Sequence, residues 1–292
     1  MSKKVVIFGE MLWDCLPSGP VPGGAPLNVM LNLTQLGLNA QLISAVGDDE
    51  DGENLLQFLK DFPASVELIQ VHHNQPTSKV LVDTSDKENM KYTIVSPVAW
   101  DFISFNDRLE QATQSAEAFV FGTLSVRNQL SLETLLRLLQ HHTLRIFDAN
   151  LRPPFYDFQV IEKLLHLTDI LKINEDELEL FAAYFSTDPN PKSLCGYLDK
   201  HFPLTIICIT MGAKGAAIYQ NGQFTHHSGY RVEVEDSIGA GDAFLSGFIY
   251  SYLAGKDHEA TLDFACKIGA LVASRKGGTV SYTLDEIQKI GT

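Results

Sequence analysis

The chain is poor in positive charge. Lysine and arginine total 22 against 36 aspartate and glutamate, a formal net charge of −14. A surface of that sign repels phosphate backbones, so nucleic acid is not an expected partner. An anionic small substrate would need local cations or backbone N–H donors. Long apolar runs are also missing. No stretch of about 18 apolar residues occurs, so no membrane-spanning helix is expected. Cysteine is sparse, and Cys15, Cys195, Cys208 and Cys266 form no CxxC pair, which leaves neither a zinc knuckle nor a redox motif. Several nucleotide and hydrolase signatures are absent: GxxxxGK[ST], GxGxxG after the first strand, and GxSxG. His258-Glu259 lacks the second histidine of a zincin. No repeat, low-complexity tract or Ser/Gly linker divides the 292 residues, so residues 1–292 read as one domain. Met-Ser-Lys-Lys leads straight into Val5-Val6-Ile7-Phe8, an apolar stretch too short for a secretory signal; a cytoplasmic location is expected.

Apolar residues make up 45% and charged residues 20%, enough to build a core and too ordered a mixture for a disordered chain. Short apolar runs at 5–9, 41–46, 118–122, 144–148, 169–173 and 205–210 read as buried strands. Helical patterns lie between them at 28–36, 51–61, 130–142, 159–167, 175–184 and 192–202. Such alternation predicts an α/β fold, a three-layer αβα sandwich with a central, mostly parallel sheet. Ligands in such sheets sit beyond the carboxyl ends of the strands. One segment breaks the pattern: 77–83 and 90–95 read as a hairpin joined by 84–89, and 12–21 is extended and proline-rich. These pieces predict a small β-sheet lid built from about 12–22 and 77–100.

The sharpest chemical signal is Asp236-Ser237-Ile238-Gly239-Ala240-Gly241-Asp242-Ala243-Phe244, after a strand-like 230–234 and before an apolar helix at 243–253. Gly239, Ala240 and Gly241 at a helix N-terminus let a ligand approach the backbone closely. The free N–H groups and the helix dipole then make an anion hole suited to a phosphoryl group. A carboxylate at Asp242 would repel that phosphoryl unless it acts on the other reactant, as a base for an attacking hydroxyl. Taken alone, Asp242 reads equally well as an ordinary first-turn acid. Gly23-Gly24-Ala25-Pro26-Leu27-Asn28 is a second glycine-rich helix entry, and alone it is also an ordinary capped loop. The paired histidines His72-His73, His141-His142 and His226-His227 lack a third metal ligand.

Gly23 to Gly37 resembles the first signature of the PfkB sugar kinases, the ribokinase-like family. Asp236 to Gly247 resembles the second, D-[ST]-x-G-A-G-D-x-F. The two lie about 200 residues apart in the family's order. The resemblance implies Asp242 as catalytic base, with Gly239, Ala240 and Gly241 as the anion hole. It implies Asp14, Gly24 and Asn28 as holders of sugar hydroxyls. Asn174-Glu175-Asp176-Glu177 matches the family's N-x-x-E element, so Asn174 and Glu177 would organise Mg2+ near the nucleotide, largely through water, as suits a hard cation. Thr210, Gly212 and Gly215 match its T-x-G-x-x-G turn at the nucleotide, which is ATP in this family. Cys266, on a helix expected at 262–275, stands where ribokinases often carry asparagine beside the adenine. Asp236 and the turn at 276–278 resemble the K+ loop of some members. Lid strands in the family often pair across a homodimer.

Phe147-Asp148-Ala149-Asn150-Leu151-Arg152 carries the D-x-N-x-R element typical of fructokinases and 2-keto-3-deoxygluconate kinases. Arg152 would contact sugar oxygens or a carboxylate; the alternative is a structural ion pair with Asp148 or Asp157. Gly9-Glu10-Met11-Leu12-Trp13-Asp14 is also fructokinase-like, and Trp100, just past the hairpin, is placed either near the sugar or in the core. For an acidic acceptor the lid offers Lys79, Lys87 and Lys91. The resemblance thus implies an ATP-dependent sugar kinase, with fructose favoured over 2-keto-3-deoxygluconate, ribose or a nucleoside.

Overall fold

The computed structural model describes residues 2–16, 19–62, 64–83, 91–141 and 143–291. The strands are β1 (Lys4–Phe8), β2 (Leu12–Leu16), β3 (Gly19–Gly23), β4 (Asn39–Gly47), β5 (Ile69–His72), β6 (Ser78–Asp83), β7 (Lys91–Ile94), β8 (Ala118–Phe121), β9 (Leu144–Asp148), β10 (Ile170–Asn174), β11 (Ile206–Thr210), β12 (Ala216–Gln220) and β13 (Gln223–His227). The helices are α1 (Ala25–Gln35), α2 (Glu50–Asp61), α3 (Asp107–Gln114), α4 (Gln129–Leu138), α5 (Phe158–Leu165), α6 (Glu175–Tyr184), α7 (Pro191–His201), α8 (Ala240–Leu253), α9 (His258–Ala273) and α10 (Leu284–Gln288).

Nine strands form one sheet in the order β13-β12-β11-β10-β9-β8-β1-β4-β5. All neighbours pair in parallel from β11 to β5, and only β12 and β13 run antiparallel to their neighbours. The central strands are apolar on both faces because both faces are covered. On one face Val5, Ile7, Ile146 and Ile170 pack with residues of α1, α2, α8 and α9; on the other Phe119, Phe121, Phe147 and Leu171 pack with α3 to α7. That is the expected three-layer sandwich.

A second sheet, in the order β3-β2-β6-β7, is built from the proline-rich hairpin and the 78–94 segment. Its strands match the expected lid. The joining segment 84–89 lies outside the described residues, as does Lys87, and the side chain of Lys91 is likewise outside them. Residues 99–102 belong to the main body as a 3-10 turn. The lid is tethered at its base. Asp49 caps α2 through Gly52 N (2.8 Å) and also accepts from Thr77 N (2.8 Å), just before β6. Lys79 pairs with Asp51 at 2.6 Å, and Trp13 Nε1 donates to the Asp51 carbonyl.

Three local expectations are corrected. Residues 230–234 form no strand; they run beside the end of α9, where Glu235 N donates to Ala273 O. The helix expected to reach 142 ends at Leu138, where Leu139 closes the last turn onto Leu135 O. The first helix starts earlier than 28, at Ala25, because Gly24 can take φ +108° as its N-cap and Pro26 suits the first turn.

Candidate active site

The carboxyl ends of β1, β9, β10 and β11 and the N-termini of α1 and α8 meet at one edge of the central sheet. Gly239 is the N-cap of α8 with φ +76°, and a Cβ there would lie 2.7 Å from Gly278 Cα. Only glycine satisfies both the left-handed backbone and that contact. The first i→i−4 bond of α8 runs from Ala243 N to Gly239 O, so the amides of Gly241 and Asp242 precede the helical ladder. The Ala240 amide closes a turn onto Ser237 O at 3.3 Å, so of the residues expected to form the anion hole Gly239 and Gly241 keep amides without a backbone acceptor among the described residues, as does Asp242 beside them. Asp236 braces the loop: its carboxylate accepts from Ile238 N (2.9 Å) and Gly277 N (3.2 Å), joining the loop to the turn at 276–278.

Asp242 is half-buried on the first turn of α8 and accepts a 2.8 Å hydrogen bond from Asn28 Nδ2. Asn28 is buried on the first turn of α1, and its second amide atom, Oδ1, is buried without a partner. Burial pushes the Asp242 carboxyl up to about 6; the Asn28 bond, Lys172 and Arg152 oppose the rise and Asp148 adds to it. Asp242 and the glycine turn before it are thus joined to the start of α1 by a contact 214 residues apart in sequence.

The expected sugar-facing residues gather nearby. Gly24 needs its positive φ, and a Cβ there would meet Glu10 O at 2.7 Å. Asp14 on β2 sets its carboxylate against Gly23, and burial lifts it to about 6 against the pull of Arg152. Glu10, after β1, is 4% exposed and is pushed by burial to about 7, opposed by its own backbone N–H and by Arg152. Arg152 is exposed and forms no ion pair among the described residues: Asp148 is bound to Lys172 and Asp157 caps Gln159 N. The structural ion pair weighed for Arg152 does not form. A small cavity lined by Glu10, Pro26, Gly122, Thr123, Asp148 and Asn150 opens between these strand ends.

Trp100 does not line the site. It is 0% exposed within the core, and the Arg127 guanidinium lies 4.1 Å above its ring. Arg127 in turn grips Asp101 through Nε (2.7 Å) and Nη2 (2.9 Å) and holds the Val95 carbonyl at the foot of the lid. Lys79 is engaged by Asp51, which leaves Arg152 as the site's available described cation.

Of the residues expected at the nucleotide, Thr210 ends β11, and the turn closes from Met211 N to Gly215 O at 2.8 Å. Gly212 opens the intervening 3-10 turn, while Gly215 packs against the backbone at His227 and Gly229. Cys266 is buried in α9, and burial holds its thiol at about 12, so it acts there as an apolar packing group. Asn174 caps α6 by accepting from Glu177 N, and Glu177 returns the bond to Asn174 N (2.9 Å). The other oxygen of Glu177 accepts from Leu151 N at 2.7 Å. With both oxygens spoken for and 4% exposure, Glu177 suits a magnesium ion only through that ion's water shell. The oxygen donors of Asn174 and Glu177 fit that use.

Comparison with known proteins decides the family. The model of the pfkB family carbohydrate kinases matches residues 19–284. The chain belongs to this family. The Escherichia coli protein named fructokinase is 28% identical over 298 residues, covering 95% of each chain. The structure of a Xylella fastidiosa fructokinase with bound ATP superposes with a TM-score of 0.88 at 24% identity, covering 99% of this chain and 98% of that one. An uncharacterised sugar kinase of Pyrococcus horikoshii in complex with ATP gives 0.83 at 25%, covering 98% of both. As a pfkB carbohydrate kinase the chain is a sugar phosphotransferase.

Sequence reasoning missed Lys172 and Arg127, and it placed Asp101 with Trp100 near the sugar rather than as the partner of Arg127. Lys172 had a signal: a lone lysine inside the apolar run Ile170-Leu171-Lys172-Ile173. Arg127 and Asp101 lie in loops whose pairing, 26 residues apart, no local pattern announces.

Proposed function

We propose that this chain is an ATP-dependent fructokinase that converts fructose to fructose 6-phosphate. The reading is carried by Asp242, which Asn28 holds beside the outward amides of the α8 start. The sugar hydroxyl gives its proton to the Asp242 carboxylate. Its oxygen forms a bond to the γ-phosphorus as the bond from that phosphorus to the ADP oxygen breaks. The Gly241 and Asp242 amides face the charge that builds on the transferring group. Asp14, Gly24, Asn28 and Arg152 orient the sugar, and the lid keeps water out, so that ATP is not hydrolysed instead. Thr210, Gly212 and Gly215 receive the nucleotide phosphates. Bound magnesium supplies charge neutralisation on those phosphates, and Asn174 and Glu177 would hold its waters.

Fructose is favoured by the names of the relatives and by the D-x-N-x-R element at Asp148, Asn150 and Arg152. The unpaired Arg152 supports a second reading, an acidic acceptor such as 2-keto-3-deoxygluconate, whose carboxylate it could take. A K+ requirement at the Asp236 loop belongs to the same proposal and is read by exchanging K+ for Na+ in the assay. A cytoplasmic location and a homodimer paired through the lid complete it.

The test is sugar-dependent ADP release with Mg-ATP on fructose, ribose, 2-keto-3-deoxygluconate and no sugar, with Asp242→Asn run in parallel. We expect turnover on fructose that falls about 10²- to 10⁴-fold in the variant. Turnover on 2-keto-3-deoxygluconate alone moves the substrate and keeps the mechanism. Full activity in Asp242→Asn refutes the base.

A further inference from the structure

Lys172 is the one charged side chain on the central strand β10, and it has no part in the mechanism above. Its neighbours along the strand show where it points. Leu171 and Ile173 belong to the core on the α3–α7 side, whereas Ile170 belongs to the core under α8 and α9. Side chains alternate along a strand, so Lys172 shares the face of Ile170 and is directed at the layer of α8. Asp148 is its register partner on β9 and sits on that same face, with Ile146 beneath it and Phe147 on the other side. The ammonium and the carboxylate meet at 2.7 Å, each side chain 8% exposed. The ammonium lies directly below the phosphoryl-binding turn: a Cβ built on Gly241 would stand 4.0 Å from Lys172 Nζ.

A buried ion pair is a poor way to stabilise a core, because removing two charges from water offsets most of their attraction. A packed apolar pair at these positions would serve a core better. Here the pair sits where a parallel sheet ends and a multiply charged phosphoryl group must arrive. The 2.7 Å contact fixes the ammonium against the Asp148 carboxylate at that place rather than against solvent.

We propose that Lys172 is a positioning residue of the phosphoryl-transfer centre, a fixed cation pinned by Asp148 beneath the first turn of α8, where it supports the anion hole and the base Asp242. The inference rests on the phosphotransfer reading of that turn. It assigns Asp148 a role separate from sugar contact, namely anchoring the lysine. Nothing in the arrangement requires Lys172 to touch substrate. Its charge acts through the Gly241–Asp242 backbone and across the buried space to the carboxylate. The groups facing Asp242 are Asn28 from α1, Lys172 from β10, Asp148 from β9, Arg152 from the loop after β9 and Glu10 from the loop after β1.

The experiment uses four full-length proteins: wild type, Lys172→Met, Asp148→Asn and the double variant Lys172→Met/Asp148→Asn. The double variant is included because Lys172→Met alone strands a buried carboxylate, whereas losing both charges leaves no buried charge unpaired. The Asp242 titration is followed by carboxyl-carbon NMR, assigned with Asp242→Asn, and kcat and KM are measured alongside. Loss of the cation moves the Asp242 midpoint up by roughly half a unit to one unit, and loss of Asp148 moves it down. In the double variant it returns close to the wild-type position. In Lys172→Met and in the double variant kcat falls about 10- to 100-fold while the sugar KM changes less than threefold. An unmoved Asp242 titration in Lys172→Met, or a folded double variant with kcat within threefold of wild type, overturns the proposal. If the wild type phosphorylates no sugar while the titrations move as stated, the kinase reading fails and the Lys172–Asp242 coupling stands.

Discussion

At the scale of single residues the site is defined by carboxylates taken out of water. Asp242, Asp14 and Glu10 all have raised pKa values with burial as the leading cause, and they sit around one exposed arginine. A base must be ionised to work, so kcat/KM for the sugar should climb with pH through about 6, the value set for Asp242 by its burial, and be level above pH 7. A pH–rate profile flat down to pH 5 would remove Asp242 from the role. Glu10 makes a different prediction, about stability. Its folded-state value of about 7 lies above the ordinary 4.5, so the folded protein holds this proton more tightly than the unfolded chain. That contribution is complete below about 4.5 and is lost as pH rises through about 7. Glu10→Gln, which keeps the shape without the charge, should therefore melt higher than wild type at pH 8. The gain is on the order of 2–3 kcal/mol, or several degrees, and it should close by pH 4.5. Equal melting temperatures at pH 8 would show that Glu10 is not strained by its charge. Asp242 and Asp14 stood out in the sequence because the motifs around them resemble a known pattern. The burial that tunes them was not legible there, since it depends on which elements close over each side chain.

At the scale of elements the strongest device is the clasp made by Glu177. Its carboxylate closes the cap of α6 through Asn174 N and reaches Leu151 N in the D-x-N-x-R loop, so one side chain joins the start of α6 to the loop after β9. Glu177→Ala strands two backbone N–H groups that the carboxylate now satisfies. It should lower stability by about 2–5 kcal/mol and raise the sugar KM, because Arg152 follows Leu151 directly. Thermal melts and sugar saturation curves check the two effects, and an unchanged KM in a destabilised protein would show that the Leu151 contact does not position Arg152 for the sugar. The N-x-x-E spelling showed a capped acidic helix start but not the contact to Leu151, which is 26 residues away. The fold shows the same division. The parallel strands were legible because strands covered on both faces are apolar throughout, as in β8, Ala-Phe-Val-Phe. The edge strands β5 and β13, Ile-Gln-Val-His and Gln-Phe-Thr-His-His, escaped notice because they are partly polar, as edges can be. Helix α3, Asp-Arg-Leu-Glu-Gln-Ala-Thr-Gln, was missed for a related reason: it buries only Leu109, Ala112 and Thr113. The run at 230–234 misled in the opposite sense. Its apolar residues suggested a strand, but β13 closes that end of the sheet and pairs with β12 alone.

At the scale of the whole molecule, the proposed function asks a chain of net charge −14 to bring a polyanionic nucleotide to one edge of its central sheet. Three positive features stand at that edge: the α8 start, Arg152, and Lys172 beneath the turn. The lid is the other whole-molecule feature. It is a four-stranded sheet whose edge strands β3 and β7 have no outer partner strand among the described residues, and Leu81 on β6 is 48% exposed. Free edges and an exposed leucine invite pairing with another strand or sheet. Asp14 lies on β2, in the middle of the same sheet, so any partner that stiffens the lid also fixes a sugar-facing carboxylate. We therefore expect a dimer of about twice 32.3 kDa by light scattering at 10 μM, on the edge-pairing argument above. Leu81→Lys should shift it toward monomer and raise the fructose KM several-fold, with kcat changed less than threefold, because the lid orders the sugar while Asp242 and the α8 start lie in the main body. A wild-type mass of 32.3 kDa at that concentration would rule out lid pairing and leave the sheet as a lid for its own protomer alone.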